Sequence, residues 1–468
     1  MNPYSRRDLL KMMGAGLGTL GLASALGAED LLGPGMPPAG GGRVDPLAPK
    51  AGSIKPRAKR LIHLFMNGGP SHVDTFDHKP ALTKYAGQRP PAVNLGTERQ
   101  TFNLFPSPFA FKPRGKSGIE ISDLFPQVSE CADDLCVIRS MHTDIPNHEP
   151  GLLMMCTGSS LPIRPAYGSW LLYGLGSENR NLPGFVVLCP GQPGVVGPQL
   201  WGNSFLPGVY QGCHVVNKGI DPGNVISHLR NPALSRQAQR EQLDLLQSLN
   251  EQHLAARAGD PALEARIRSM ELAFGMQTEA SEAFDLSKET QSTRDAYGQG
   301  DFNDGCILAR RLVERGVRVV QLHYDAKENW DSHESIEHHA GCAKRVDQPI
   351  AALLKDLKAR GMLEDTLVLW GGEFGRTPTA EGKSTGRDHN HYGFTVWMAG
   401  GGVKGGMTYG ATDEFGFTAV ENRMHVHDLH ATMLHLMGLD HERLTYRYSG
   451  RDFRLTDVHG KVAHAIIA

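Results

Sequence analysis

The chain has 468 residues, with 48 Lys and Arg, 50 Asp and Glu, and a formal net charge of -2. This length can bury a large core or form more than one domain. No basic excess exists to neutralise phosphates, which excludes nucleic acid as the main partner. The seven cysteines show no CxxC spacing, so a disulfide framework and a structural zinc motif are not expected.

The N-terminus predicts export. The segment SRRDLLK, residues 5–11, resembles the twin-arginine motif, and a Gly/Ala-rich apolar stretch follows over 12–26. That stretch is too short and too weakly apolar for a stable transmembrane span. We therefore expect a signal peptide over residues 1–28, a flexible Pro/Gly-rich linker over 29–59, and a periplasmic or otherwise exported protein.

The folded domain is predicted over residues 60–468. It opens with a buried-strand pattern, Leu61–Met66, which runs into the turn NGGPSHVDTFD at 67–77. Asn67, Ser71 and Asp74 in this turn can face one site. The alternative is a turn in which Ser71 and Asp74 cap the next segment.

A second polar segment lies between residues 139 and 150. A helix followed by a strand is predicted over 120–141, and the polar segment then contains His148 just before a helix that ends at Thr157-Gly158. A helix N-terminus attracts anions, because its free N–H groups point outward. From about 221 to 295 the pattern is polar and helical, which predicts a helical insertion on the surface.

The last third of the chain repeats the order of strand and polar loop. The strand pattern at 317–324 precedes Asp331 and His333, which are two residues apart and can turn toward one metal. We expect His338 and His339, further on, to lie on a polar helix face. A buried-strand pattern at 366–370 precedes Gly371-Gly372 and a loop that holds Glu373, Arg376, Asp388, His389 and His391. Such side chains bind divalent metals at strand ends. The alternative is a solvated loop with an Arg376–Glu373 ion pair.

The order of these pieces resembles the alkaline phosphatase and sulfatase superfamily. The matching pieces are Leu61–Gly68, Asn147–Gly158, Trp330–His333, Gly372–Gly375 and His389 or His391. More narrowly, GGPSHVDTFD, WDSH and GGEFGRTP resemble an exported bacterial family, domain of unknown function fifteen-oh-one. The resemblance implies an α/β fold, an alkaline-phosphatase-like sandwich whose mostly parallel central sheet has helices on both faces.

The function that the resemblance implies is metal-dependent hydrolysis of phosphate or sulfate esters. The implied metal, zinc, manganese or calcium, would be held by Asp331, His333, Glu373 and His389 or His391, with Asn67 or Asp74 completing the site. His148 would be a general acid/base or a nucleophile, and Ser71 is a second nucleophile candidate. Arg376 would neutralise the anionic group of the substrate.

Departures from the superfamily pattern support an alternative. Asn67 stands where a metal Asp is usual, Phe374 where a metal His is usual, and no Cys-x-Pro-x-Arg segment is present. The alternative is a non-catalytic binding protein for sulfated or phosphorylated glycans on the same fold. A third hypothesis makes the helical insertion a docking arm for a protein partner.

Overall fold

The computed structural model describes residues 45–90, 101–191, 196–219, 233–255, 261–324 and 329–468. The predicted signal peptide and the first part of the linker lie outside these residues. The strands, in chain order, are β1 Arg60–Phe65, β2 Thr101–Leu104, β3 Phe111–Arg114, β4 Ile119–Ser122, β5 Leu135–His142, β6 Phe185–Cys189, β7 Cys213–Val216, β8 Val319–His323, β9 Thr366–Gly371, β10 Gly375–Arg376, β11 Thr379–Glu381, β12 His389–Asn390, β13 Phe394–Ala399, β14 Met407–Tyr409, β15 Ala411–Thr412, β16 Ala419–Glu421, β17 Met424–His425, β18 Tyr446–Tyr448 and β19 Arg451–Phe453.

Ten α-helices occur in the described ranges. They are α1 His72–Thr75, α2 Pro80–Lys84, α3 His148–Thr157, α4 Tyr167–Leu175, α5 Arg236–Ala255, α6 Pro261–Ala283, α7 Gln291–Tyr297, α8 Asp301–Glu314, α9 His338–Ala359 and α10 Val426–Leu436. Helices α5 and α6 occupy the predicted helical insertion. None of the helices in the described ranges combines the length and apolarity needed to cross a bilayer.

A central, largely parallel sheet organises the domain. Its strand order is β14-β5-β13-β9-β1-β8-β6-β7, with β17 also paired to β5, and β13 alone runs antiparallel to both of its neighbours among the described strands. Every residue of β6, β8, β9 and β13 is buried. Because successive side chains point to opposite faces, both faces of these strands are covered, as parallel sheets require. The predicted α/β class is confirmed.

One predicted element is wrong. The segment after residue 120, expected to be a helix, contains the short strand β4 and then a 3₁₀-helix, Val128–Asp134. β4 pairs with β3 in an antiparallel hairpin, with Ile119 opposite Arg114. Its four residues are too few to show a strand period against the polar residues around them.

Candidate functional site

The three strands predicted to carry site residues are neighbours in the sheet. β1 lies between β8 and β9, with Phe65 in register with His323 on one side and with Gly371 on the other. Their carboxyl ends therefore meet at one edge, and the loops beyond them interlock. The backbone carbonyl of Asn67 accepts a hydrogen bond from the backbone N–H of Trp330 at 2.9 Å. The sheet thus brings three distant polar segments together, as expected for a ligand site in an α/β fold.

Four side chains converge at this edge. His148, Asp331, His333 and His389 each offer one ligand atom, and these four atoms all lie within 4.8 Å of one another. Asp331 Oδ1 lies 3.2 Å from Nε2 of His148, 2.8 Å from Nε2 of His333 and 3.4 Å from Nε2 of His389. Nε2 of His333 and Nε2 of His389 are 3.1 Å apart. We call these four residues the histidine–aspartate cluster.

The other ring nitrogen of each histidine donates a hydrogen bond away from the cluster. The three Nδ1 atoms lie 2.7 Å from Glu373 Oε1, 2.5 Å from Glu381 Oε2 and 2.8 Å from the Pro146 carbonyl oxygen, for His148, His333 and His389 respectively. Carboxylate and carbonyl oxygens only accept, so Nδ1 carries the proton in each ring. In a neutral imidazole, Nε2 is then a bare lone pair. Three Nε2 atoms and one carboxylate oxygen therefore face one another, and each Nε2 offers a lone pair when its imidazole is neutral.

This arrangement fits a divalent metal ion. Zinc binds imidazole nitrogen at ~2.0–2.1 Å in a tetrahedron, which separates neighbouring ligand atoms by roughly 3.3 Å. Four of the six separations within the cluster are 2.8, 3.1, 3.2 and 3.4 Å, within about 0.5 Å of this value, and all six are below 4.8 Å. Histidines that bind metals usually donate their second N–H to a carboxylate or a backbone carbonyl, as all three do here.

Arg376 is built into the wall of the cluster. Its side chain is completely buried, and its guanidinium donates to the backbone carbonyls of Gly68 and Gly69 and to Asp331 Oδ1. Arg376 therefore fixes the position and the charge of Asp331. These contacts hold the guanidinium in place, so that the side chain is not free to move with a substrate.

The protonation of the cluster follows from these contacts. Burial lowers the pKa of His148, but its hydrogen bonds to Asp331 and Glu373 outweigh burial and raise the pKa to about 9. Burial raises the pKa of Asp331, but hydrogen bonds from the three histidines and the charge of Arg376 bring the pKa far below its usual range. In His389, burial dominates and lowers the pKa. Asp331 is thus an anion at every relevant pH.

Besides Arg376, five of the residues predicted for the site lie outside the cluster. Glu373 lies directly behind it, where Oε1 also accepts from the backbone N–H of Gly68 at 2.9 Å. Asn67 is bonded to the Tyr324 carbonyl at 2.6 Å and to His323 Nδ1 at 3.1 Å. Asn67, Asp74, His391 and Ser71 are not among the four residues whose ligand atoms converge.

Ser71 and Asp74 belong to a buried polar network. The Ser71 hydroxyl donates to Asp74, and Arg387 donates to Asp74 at 2.7 Å, with both ionic side chains fully buried. His339 accepts from the Ser71 backbone N–H at 2.9 Å. The expectation that His339 lies on a polar helix face is wrong, since this side chain is completely buried.

Sequence reasoning missed two supporting groups, Glu381 and the Pro146 carbonyl. Glu381 lies on β11, 48 positions after the histidine that it holds. Its local sequence, Thr-Ala-Glu-Gly, resembles an ordinary turn. Only the fold shows that this carboxylate faces His333. A backbone carbonyl such as that of Pro146 carries no residue-type signal at all.

Comparisons with solved structures give several matches with low sequence identity and low TM-score. The PsFucS1 sulfatase from Pseudoalteromonas sp. is 13% identical with a TM-score of 0.37, over 82% of this chain and 69% of that chain. The phosphonate monoester hydrolase SpPMH from Silicibacter pomeroyi is 12% identical with a TM-score of 0.32, over 67% and 68%. The lipoteichoic acid synthase LtaP from Listeria monocytogenes is 8% identical with a TM-score of 0.35, over 88% and 79%.

No curated protein sequence matches the chain. A family model described as "Protein of unknown function (DUF1501)" matches residues 58–467, which is nearly the whole predicted folded domain. The sequence-based expectation of this family is confirmed. The chain belongs to the DUF1501 family.

Proposed function

We propose that the chain is an exported, metal-dependent hydrolase of phosphate or sulfate esters. The observation that carries the proposal is the convergence of three Nε2 atoms and Asp331 Oδ1, each imidazole being held by a hydrogen bond at Nδ1. His148, Asp331, His333 and His389 would hold the metal. Export rests on the twin-arginine segment, which lies outside the described residues.

The donor set favours zinc or another transition metal over calcium. Three imidazole nitrogens and one carboxylate oxygen match the ligands of zinc, whereas calcium takes six to eight oxygen ligands. Such an ion would polarise an ester oxygen and lower the pKa of bound water, which requires a coordination position beyond the four protein ligands. The protein's own contribution is a rigid frame, in which Glu373, Glu381 and Arg376 orient three of the ligands and the Pro146 carbonyl orients His389.

The attacking group is assigned to water. Ser71, one nucleophile candidate, is fully buried and donates its hydroxyl hydrogen to Asp74. His148, the other candidate, directs Nε2 into the cluster, where that atom is needed as a ligand. A water nucleophile predicts direct hydrolysis, without a covalent intermediate on the protein.

The proposal is tested by hydrolysis of p-nitrophenyl phosphate, bis-p-nitrophenyl phosphate and p-nitrophenyl sulfate by metal-loaded protein. We expect turnover of at least one ester, its loss in Asp331→Ala, and its retention in His338→Ala. His338 is an exposed histidine five positions from His333, so this control removes an imidazole without touching the cluster. Turnover that survives Asp331→Ala would contradict the proposal.

The alternative is binding of anionic glycans without turnover. The one observation that favours it is the burial of Ser71, which leaves this chain without the side-chain nucleophile expected from the superfamily resemblance. The two functions differ in product release. A protein that retains sulfated or phosphorylated glycans, and releases no sulfate or phosphate when loaded with zinc or manganese, would fit the alternative.

A further inference from the structure

The histidine–aspartate cluster lies within a shell of carboxylates. Besides Asp331, the side chains of Glu373 and Glu381 contact histidines of the cluster, at 2.7 and 2.5 Å from Nδ1. Asp388 belongs to the same shell, because one ligand atom each of Asp388, Glu381 and His333 lie within 4.8 Å of one another. Glu373 is 1% exposed, and Glu381 and Asp388 are each 9% exposed. Water therefore screens these three charges little.

The arginine charges in this region are already bound by protein atoms. Arg376 donates from Nε to the Gly69 carbonyl at 3.1 Å, from Nη1 to the Arg387 carbonyl at 3.3 Å and from Nη2 to Asp331 at 2.5 Å. The guanidinium of Arg387 lies 2.7 Å from Asp74, and both of these side chains are fully buried. Neither guanidinium is therefore free to bind an anionic ester.

The exposed charges beside the shell are mostly acidic. In the described ranges, five exposed charged side chains lie within four residues of the four ligands or of Glu373 and Glu381. They are Asp144, Glu149, Glu334, Glu337 and Lys383. Four anions against one cation give an approaching anion no electrostatic attraction at this rim. Salt screens exposed charges of this kind, so the buried shell has the larger effect on a bound group.

The shell keeps no excess of positive charge when a divalent ion binds. Four carboxylates against the single guanidinium of Arg376 leave three negative charges. Histidines are neutral as metal ligands, so a divalent ion reduces this excess to one negative charge. A proton shared between Glu381 and Asp388 would bring the charge to zero, and the N-terminus of α3 adds about half a positive charge. In each case the site lacks the two positive charges that would balance a dianion.

We infer that this site accepts esters with a single negative charge and discriminates against dianionic phosphate monoesters. The inference rests on the proposed function, because it names the substrate class of the same site. Sulfate monoesters and phosphodiesters carry one negative charge, whereas a phosphate monoester carries about two at neutral pH. The second charge of the monoester is repelled by the buried carboxylates without a cation to compensate it, and such like-charge contacts reject a ligand strongly.

The first measurement is binding, which does not depend on turnover. Calorimetry on the zinc-loaded full chain, in alkaline buffer, compares phenylphosphonate, a dianion, with its O-methyl ester, a monoanion. The two ligands share the phenyl ring and the phosphorus centre and differ by one charge. We expect the monoanion to bind at least as tightly as the dianion. A dianion that binds about tenfold more tightly, or a failure of both ligands to bind, would overturn the inference.

The second measurement is hydrolysis, which separates the two sources of a single charge. The rates for p-nitrophenyl sulfate, bis-p-nitrophenyl phosphate and p-nitrophenyl phosphate are each divided by the uncatalysed rate. We expect the sulfate or the diester to exceed the dianionic monoester by about tenfold or more, and the larger of the two values identifies the substrate. The highest value for p-nitrophenyl phosphate would overturn the inference. Selective binding of the monoanion without turnover of any ester would contradict the proposed function and leave the charge preference standing.

Asp388→Asn tests whether the carboxylate shell causes the preference. Asp388 Oδ1 accepts the backbone N–H of His389 at 2.8 Å, and Oδ2 is buried without a hydrogen-bond partner among the described residues. The amide keeps the first contact and removes one charge. The affinity for the dianion relative to the monoanion should therefore rise about tenfold, as expected for unit charges roughly 10 Å apart at an effective dielectric constant of about 20.

Asp123→Asn is the matched control, because it removes the same charge from an exposed carboxylate paired with Lys112. Its ratio of affinities should change by less than about twofold. Zinc content is measured in every variant. If Asp388→Asn loses the ion, Glu381→Gln at saturating zinc removes a charge from the same pair and should shift the ratio equally. A ratio that stays at the parent value in the zinc-loaded variant would overturn the inference.

Discussion

Glu381→Gln should weaken metal binding without unfolding the protein. Glu381 Oε2 accepts the Nδ1–H of His333 at 2.5 Å, and its side chain is only 8% exposed, so water screens the bond little. A hydrogen bond to a charged group contributes about 1.5–3 kcal/mol and a neutral one about 0.5–1.5 kcal/mol. The amide of the variant therefore holds the His333 ring in its ligand orientation less strongly, by roughly 1–1.5 kcal/mol. This difference corresponds to a loss of about tenfold in zinc affinity.

The assay is competition for zinc against a chromophoric chelator, starting from metal-free protein. Glu421→Gln is the matched control, because Glu421 is exposed on β16 and loses the same charge without touching the cluster. A change below about twofold for Glu381→Gln would refute the positioning role. A loss above about a thousandfold would also refute it, because Glu381 would then be a metal ligand itself.

Three further predictions follow from buried groups. Asp74→Ala leaves the guanidinium of Arg387 buried and unpaired, so urea denaturation should show a loss of about 3–5 kcal/mol in unfolding free energy. Burial lowers the pKa of His430 to about 3. The unfolded chain thus binds a proton near pH 6.5 that the folded chain does not, and stability should fall below pH 6.5 by about 1.4 kcal/mol per pH unit for this residue. Gly68→Ala should abolish metal binding, because its Cβ would lie 2.6 Å from the Asp331 backbone nitrogen.

Each of these predictions has a control that the chain itself supplies. Lys112→Ala breaks an exposed pair with Asp123, and should cost less than about 1 kcal/mol. His430→Gln should flatten the acid slope of stability. Gly118→Ala imposes a similar left-handed strain at φ 70°, but nothing lies within 4 Å of the new Cβ. It should therefore keep the metal, and a metal loss equal to that of Gly68→Ala would contradict the steric argument.

The central strands could be predicted because a strand that is buried on both faces has a continuous run of apolar residues. The pattern at 366–370 became Thr366–Gly371, and the pattern at 317–324 became Val319–His323. The end of α3 at Thr157 was also predictable, since Gly158 takes the left-handed conformation with φ 68° that ends a helix. The short peripheral strands lack such a signal, which explains the error at β4.

The sequence predicts which residue types form the site, but not which residues contact one another. Asp331, His333 and His389 were expected to be metal ligands, and the structure brings their side-chain atoms together. Ser71 and Asp74 carry the same kind of polar groups near a strand end, yet they face a buried arginine 313 positions beyond Asp74. Sequence spacing shows which side chains lie near one another locally. It cannot show which distant group neutralises a charge.

The most direct test of the metal centre is the metal content of protein purified without added metal or chelator, measured by elemental analysis. The histidine–aspartate cluster should hold about one equivalent of zinc or another transition metal per chain. This metal should be lost in Asp331→Ala and retained in His338→Ala. Protein that holds no metal even after incubation with zinc and manganese, or that keeps its metal in Asp331→Ala, would contradict the assignment of the histidine–aspartate cluster as a metal centre.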